Sequence, residues 1–468
     1  MSKSQELGTE NIGKLLVKMA VPASIGILVM SIYFIVDTIF VGRFVGSLGI
    51  AAITVVLPLS FLIGSFGMAI GVGGASVISR ALGGRDIDKA KLTFGNMITI
   101  TLILAISLVI LGYFVADPIL SAFGAKGEIM GPAKSYFRII LLGIPCLAWM
   151  MMANNVMRGE GKPRFAMIAM IFPAILNIIL DPIFIIFFKM GLEGAAWATT
   201  ISYFLSAGFG LWFFIFGPSE LKISIQAFVL RFAVVKEIAA IGGVTLARQG
   251  AVSLLSIVLN NSLFQYGDEL AIAVWGIINR TMMFANFPVL GVTQGFIPIA
   301  GFNYGAKHWD RVKKVISAAI KSGTFIAIGL FTTILFFSSN ITSLFTNDPE
   351  LIRRTPGALI IVFMATPLIT VQLIGAAYFQ AIGKALPALF LTLTKQGFFL
   401  IPLVLILPIF FNLNGIWYAF PIADVLAAVV TFSYLRREVR RDLMPKILEQ
   451  KTFSDNFSNP LKTKVISE

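Results

Sequence analysis

The chain has 468 residues, 57% of them hydrophobic and 13% charged, where an ordinary soluble domain carries about 25% charged residues. That balance describes an integral membrane protein and excludes a soluble enzyme. The net charge of +14 does not point to nucleic acid, because the basic residues fall in alternate loops and at both ends of the chain.

The opening MSKSQELGTENIGKLLVK has no small-residue cleavage site, so the first apolar run reads as a retained span. Runs of about 20 apolar residues, the length a helix needs to cross roughly 30 Å of hydrocarbon, are predicted at 17–39, 50–79, 92–115, 131–157, 165–187, 194–216, 238–264, 270–301, 316–337, 356–380, 386–410 and 415–434. Transmembrane β-strands would be shorter and would alternate. The N-terminus, the loops at 80–91, 158–164, 217–237, 302–314 and 381–385, and the tail from Arg436 hold 25 Lys and Arg. The opposite loops hold five, namely Arg43, Lys126, Lys189, Arg353 and Arg354. This asymmetry places both termini in the cytoplasm with twelve spans between them. Cys146, the single cysteine, lies in apolar sequence, so disulfides play no part within the chain.

An offset of about 221 residues relates the two halves. It carries Ala51 and Ala52 onto Ile272 and Ala273, Gly46 onto Gly267, Gly84 onto Gly305 and Gly194 onto Gly415. One residue more carries Pro145 onto Pro367, and Gly161-Lys162 onto Gly383-Lys384. Duplication of six spans leaves the copies parallel, because six is even. The expected fold is therefore an all-α membrane protein of twelve transmembrane helices in two parallel, pseudo-symmetric six-helix lobes. Residues 1–216 and 238–441 form the lobes, 217–237 a basic cytoplasmic linker, and 442–468 a cytoplasmic tail suited to anionic headgroups. Transporters built from such repeats hold substrate between the halves. Gly67 and Gly71 suit close helix approach, and Pro22, Pro58, Pro145, Pro173, Pro288, Pro298, Pro367 and Pro402 suit bending of the spans.

Asp37 in the first span is the residue the composition explains least. An ionised carboxylate in a helix at the bilayer centre costs on the order of 2.5 to 3.5 kcal/mol on insertion scales. Tyr33 lies four residues before it, and Asn177 lies four residues before Asp181 in the fifth span, so each pair shares a helix face. An amide and carboxylates converging there hold a proton or, with further oxygens, form a site for a hard cation such as Na+. The offset places Val258 and Leu403 where Asp37 and Asp181 stand, so the acids belong to the first half alone. Asp424, deep in a second-half span, reads either as a secondary site or as a partner of Arg280. Candidates for a central cavity are Tyr33, Met151, Asn154, Asn155, Gln249, Asn260, Arg280, Phe284, Gln372 and Asp424. Their amides line or knit helices, and their Met and aromatic side chains give an adaptable wall for bulky apolar solutes.

Four stretches, VDTIFVGR at 36–43, ISRALGGRDIDKA at 78–90, MRGEGKPR at 157–164 and NIILDPIF at 177–184, together resemble the multidrug and toxic compound extrusion (MATE) family, in its prokaryotic DinF-like and MepA-like branch. The resemblance runs from about Ile12 to Arg441. It implies export of cationic or amphipathic compounds in exchange for H+ or Na+, with no other cofactor, by a monomer in a prokaryotic cell membrane. It also implies that Asp37, Asn177 and Asp181 form the first-lobe ion site. The acids that other branches place in the seventh and tenth helices are missing here. The wider superfamily includes flippases of lipid-linked sugars with a cationic cavity, and Arg138, Arg248 and Arg280 keep that alternative open. A Walker loop, a filter of like charges, and a nucleophile with a base are all absent, and His308 lies in a basic loop.

Overall fold

The computed structural model describes residues 4–458, and its described elements are all helical. The spans are α1 (Ile12–Phe44), α2 (Ser47–Gly83), α3 (Ile87–Phe114), α4 (Met130–Gly159), α5 (Pro163–Pro182, prolonged by a π-turn at Ile183–Phe187) and α6 (Gly191–Ile215). The second set is α7 (Phe232–Tyr266), α8 (Glu269–Gly305), α9 (Trp309–Ser343), α10, α11 and α12 (Leu413–Glu438). Two spans are interrupted. α10 is Pro349–Phe363 and Thr366–Ala381, bent by 44° at Met364 and Ala365 just before Pro367; a proline has no N–H for the carbonyl four residues back, here that of Phe363, and its ring crowds that carbonyl, which favours a break between them. α11 runs from Ala385–Leu393 through a π-turn at Thr394–Leu400 into Ile401–Phe411. All twelve predicted spans are present, most of them longer than the apolar runs. Capping extends some of them: Asn11, Asp86, Asp268 and Asp348 each accept backbone N–H groups at a helix start.

The repeat is visible in the contacts. Gly84 and Gly305 meet each other across the lobe interface, with a Cβ on Gly84 falling 3.5 Å from the Gly305 carbonyl oxygen. A Cβ on Gly305 would stand 2.0 Å from the Arg80 oxygen, and one on Gly83 the same distance from the Phe302 oxygen, so only glycine permits this approach. Gly161 and Gly383 both take left-handed φ, +74° and +83°, at equivalent turns. α2 crosses α7 at Gly73 and Gly242, and α8 crosses α1 at Gly291 and Gly295.

All of these inter-lobe approaches lie toward the end that carries the basic loops. A shared apolar core there joins Leu15 and Met19 to Phe296 and Ile299. At the other end each lobe has its own core: one around Val56 and Phe137, the other around Leu263 and Phe420. The lobes are thus joined at the basic end and part toward the opposite one. Polar links reinforce the joint. Arg80 pairs with Glu237 at 2.6 Å and donates to the Ala381 carbonyl at 3.0 Å, and Ser76 donates to the Gln380 carbonyl at 2.6 Å.

The described segments that flank the spans pack onto the rest of the fold. The turn Glu6–Thr9 buries Leu7, whose carbonyl accepts from Asn303 at 2.8 Å, while Ser4 donates to Glu220 in the linker at 2.7 Å. Beyond α12 the helix continues through a π-turn to Met444–Ser458, and Lys446 lies over the rings of Tyr304 and Trp309. Residues 459–468 of the expected tail fall outside the described residues.

Gly305→Val tests this joint. In a Cys146→Ser background, a cysteine at the fully buried Ser79 should react with a bulky maleimide several times faster when Gly305→Val is added, because the new side chain prises α2 from α8. Unchanged labelling contradicts the close approach.

Candidate functional site

Three helices of the first lobe each bring an i, i+4 pair to one place. α1 supplies Tyr33 and Asp37, α5 supplies Asn177 and Asp181, and α6 supplies Thr199 and Tyr203. Asp37 and Asp181 are buried, 7% and 0% exposed, so their carboxyl groups must satisfy each other and their neighbours. The two carboxyl groups lie within hydrogen-bonding reach of each other. The phenols of Tyr33, Tyr136 and Tyr203 stand close enough to Asp37 to feel its charge.

The Asn177 amide fixes the arrangement. In the orientation that satisfies all its neighbours, its nitrogen donates to Asp181 Oδ2 at 2.8 Å. Its oxygen then accepts from the Thr199 N–H at 3.1 Å and from the Thr199 hydroxyl at 3.0 Å. Asp37 Oδ1 and Asp181 Oδ1 remain buried without a donor. Two touching carboxylates, each with an oxygen lacking a donor, are a strongly repulsive arrangement in low dielectric. One proton shared between them, or one small cation coordinated by them, removes the repulsion. The donor set of carboxylate, amide and hydroxyl oxygens is chemically suited to a hard monovalent cation.

In the second lobe, Val258 and Leu403 belong to one apolar cluster, so the scaffold is repeated and its carboxyl pair is not. Asp424 pairs with Lys395 at 2.5 Å, with Asp424 buried and Lys395 partly buried. This corrects the expected partnership with Arg280, which lies on an exposed face of α8.

A cavity of about 390 Å³ opens between the lobes. α7 contributes Arg248, Gln249 and Val252, α8 contributes Asn286 and Gln294, α10 contributes Gln372, and α11 contributes Lys395; Ile27 and Val72 close the first-lobe side. Of the expected cavity residues, Gln249 and Gln372 are in this lining, and Gln372 also donates to the Leu391 carbonyl at 3.1 Å. Asn155 reaches a small pocket of about 20 Å³, which shares Val72, Gln294 and Ile297 with the cavity.

The remaining expected cavity residues lie outside the lining. α8 lines it with Met282, Asn286, Leu290 and Gln294, and Arg280 and Phe284, two residues from Met282, point about half a turn away. Asn260 is exposed, two turns beyond Val252. Asn154 is held inside the first lobe by a 2.6 Å bond to the Ala166 carbonyl, and Met151 lies a turn before Asn155. Sequence reasoning missed Thr199, Tyr136, Tyr203 and Lys395. The i, i+4 pairing of Thr199 with Tyr203 was the available signal for two of them.

A family model described as MatE matches residues 22–183 and 246–432. The multidrug export protein MepA of Staphylococcus aureus is 28% identical over 427 residues, which cover 91% of this chain and 94% of that protein. MepA of Staphylococcus haemolyticus is 28% identical over 418 residues, covering 89% and 92%. A multidrug resistance MATE family transporter of the MOP superfamily, solved in an outward-facing conformation, matches with a TM-score of 0.89 at 27% identity over 94% of this chain and 98% of its own.

Removing the amide from the carboxyl site should cost more than removing the hydroxyl behind it. Asn177→Leu strips a buried carboxylate of its donor, an expected loss of about 1–3 kcal/mol, whereas Thr199→Val removes one of two donors to a neutral oxygen, about 0.5–1.5 kcal/mol. Thermal melting of the purified variants measures both, and an equal or reversed order contradicts the assigned network.

Proposed function

The chain belongs to the multidrug and toxic compound extrusion (MATE) family, and from that premise we propose that it is a secondary active exporter of amphipathic organic compounds. Exchange is for H+ or Na+ by alternating access, with Asp37, Asn177 and Asp181 as the ion site. The observation that carries this reading is the buried contact between Asp37 and Asp181, which calls for one proton or one cation and has no counterpart in the second lobe.

In this reading residues 1–216 and 238–441 are the moving bodies and 217–237 the tether. The basic end, with both termini, faces the cytoplasm of a prokaryotic cell. With the lobes parted at the outer end, external H+ or Na+ reaches the carboxyl pair while substrate leaves the cleft. Neutralising the pair removes the mutual repulsion of two charges and frees α1, which contains Pro22, to bend. The lobes then close outside and part inside. Ion and substrate need only favour opposite states for each to weaken the other's hold in the shared one. MepA exports multiple drugs, as its name says, and the apolar and amide lining supports amphipathic cargo for this chain as well.

Proteoliposomes with a pH gradient and a Na+ gradient imposed separately test the reading, using a panel of cationic and anionic fluorescent amphiphiles. Transport should follow one gradient and fall about tenfold or more in Asp37→Asn, with the variant's melting temperature retained. Undiminished transport by well-folded Asp37→Asn contradicts the ion site.

A further inference from the structure

The inter-lobe cavity has a polarity that ion coupling does not use. Its charged lining residues are Arg248 and Lys395, and Arg158 faces the small pocket at its floor. Among the described residues no Asp or Glu lines either space. Lys395 has an internal counter-ion in Asp424, which sits behind it and is 4% exposed. Arg248 meets no carboxylate and no hydrogen-bond acceptor among the described residues. Arg158 donates to Asn155 Oδ1 at 3.2 Å and keeps a buried Nε without a partner.

A guanidinium at membrane depth is normally paired or faces a functional cavity. Its planar fork matches the two oxygens of a carboxylate, sulfonate or phosphate better than an ammonium does. Lys395 lies in the π-turn of α11, a kind of distortion that occurs frequently at functional sites. Gln249, Asn286 and Gln372 offer neutral polar partners beside the two cations, and Val252, Leu290 and Ile297 offer an apolar wall. The volume of about 390 Å³ falls within the range of small-molecule sites.

We infer that the second-lobe side of the cleft is a binding subsite for the anionic headgroup of an amphipathic molecule. Arg248 grips the headgroup, Lys395 joins it, and the apolar body lies against Val252 and Leu290. Asp424 competes with the ligand for Lys395 and so sets the strength of the site. This rests on the exporter reading of the same cleft and narrows its substrate class to anionic or zwitterionic amphiphiles, whether drawn from the bilayer as lipid headgroups or from solution.

Dansylglycine and dansylcadaverine carry one fluorophore and opposite charges. Their equilibrium binding to the full-length protein in neutral detergent tests the subsite. Wild type should bind dansylglycine more tightly than dansylcadaverine. Arg248→Met, which orphans no partner, should weaken dansylglycine about tenfold or more without weakening dansylcadaverine. Asp424→Asn should tighten dansylglycine by freeing Lys395. The neutral pair Lys395→Met with Asp424→Asn removes the ion pair without leaving a lone buried charge and should weaken the anion. A preference for dansylcadaverine in wild type, or dansylglycine binding indifferent to Arg248→Met, overturns the inference.

Repeating the titration in phosphatidylcholine nanodiscs with and without phosphatidylglycerol identifies the source. Competition by phosphatidylglycerol supports a lipid headgroup as occupant, and its absence supports a soluble anion. Binding is read without a gradient. A protein that binds dansylglycine through Arg248 but transports nothing keeps this inference and loses the exporter reading; a gradient-driven exporter indifferent to Arg248 does the reverse.

Discussion

Two carboxyl groups in contact inside a helical membrane protein are the constraint on which the rest of the molecule depends. Neither Asp37 nor Asp181 can shed its charge into solvent, and each keeps an oxygen without a donor. Burial and mutual repulsion act in the same direction, against the doubly ionised state. The surroundings are organised around that problem. Asn177 presents its amide nitrogen to one acid and anchors its oxygen on Thr199, while three phenols form the remaining wall. α1, α5 and α6 each contribute two residues one turn apart, the smallest unit by which a helix can aim two side chains at one point, and α4 adds Tyr136 alone.

The duplicated scaffold makes the asymmetry of its chemistry informative. The glycine contacts at Gly84 and Gly305 and the matched turns at Gly161 and Gly383 show how closely the halves correspond. Against that background, Val258 and Leu403 fill with hydrocarbon the places where the first lobe holds its acids. The second lobe carries charge elsewhere, on the Lys395–Asp424 pair and on Arg248 at the cleft wall. The buried carboxyl pair and the cationic cleft lining thus sit on different lobes. Those lobes share one apolar core and one set of polar links at the basic end. In the proposed exchange, coupling between them passes through this joint.

The twelve spans, their parallel duplication and the isolation of the first-lobe acids were legible because hydropathy length, loop charge and repeat offset are properties of the chain itself. Bending at Pro367 was legible, although Pro145 at the equivalent place lies in an uninterrupted helix. Which face of a span meets the cleft was not. Phe284 and Arg280 lie two residues from the lining position Met282, and a helix polar or apolar on several faces gives no phase from sequence. Lys395 escaped notice because its role depends on a π-turn and on Asp424 from another helix. Of the two readings of Asp424, the one that pairs it with Arg280 therefore names the wrong cation. Tyr136 was silent, since a lone tyrosine is not costly enough in a membrane to demand explanation, and Thr199 was signalled by its spacing from Tyr203 alone.

The most direct measurement of the central claim is a distance across the mouth of the cleft at the end opposite the basic loops. Nitroxide labels at Leu48→Cys and Glu269→Cys, equivalent exposed positions in the two lobes, placed in a Cys146→Ser background in nanodiscs, report how far the lobes stand apart by pulsed electron resonance. If neutralising the carboxyl pair drives the lobes, lowering the pH or adding Na+ shifts the distance distribution in the otherwise native protein. The combined Asp37→Asn and Asp181→Asn changes leave a single distribution that no longer responds. A shift of the same size that persists in the doubly neutralised protein contradicts the account, because the force that moves the lobes would then lie outside the first-lobe site.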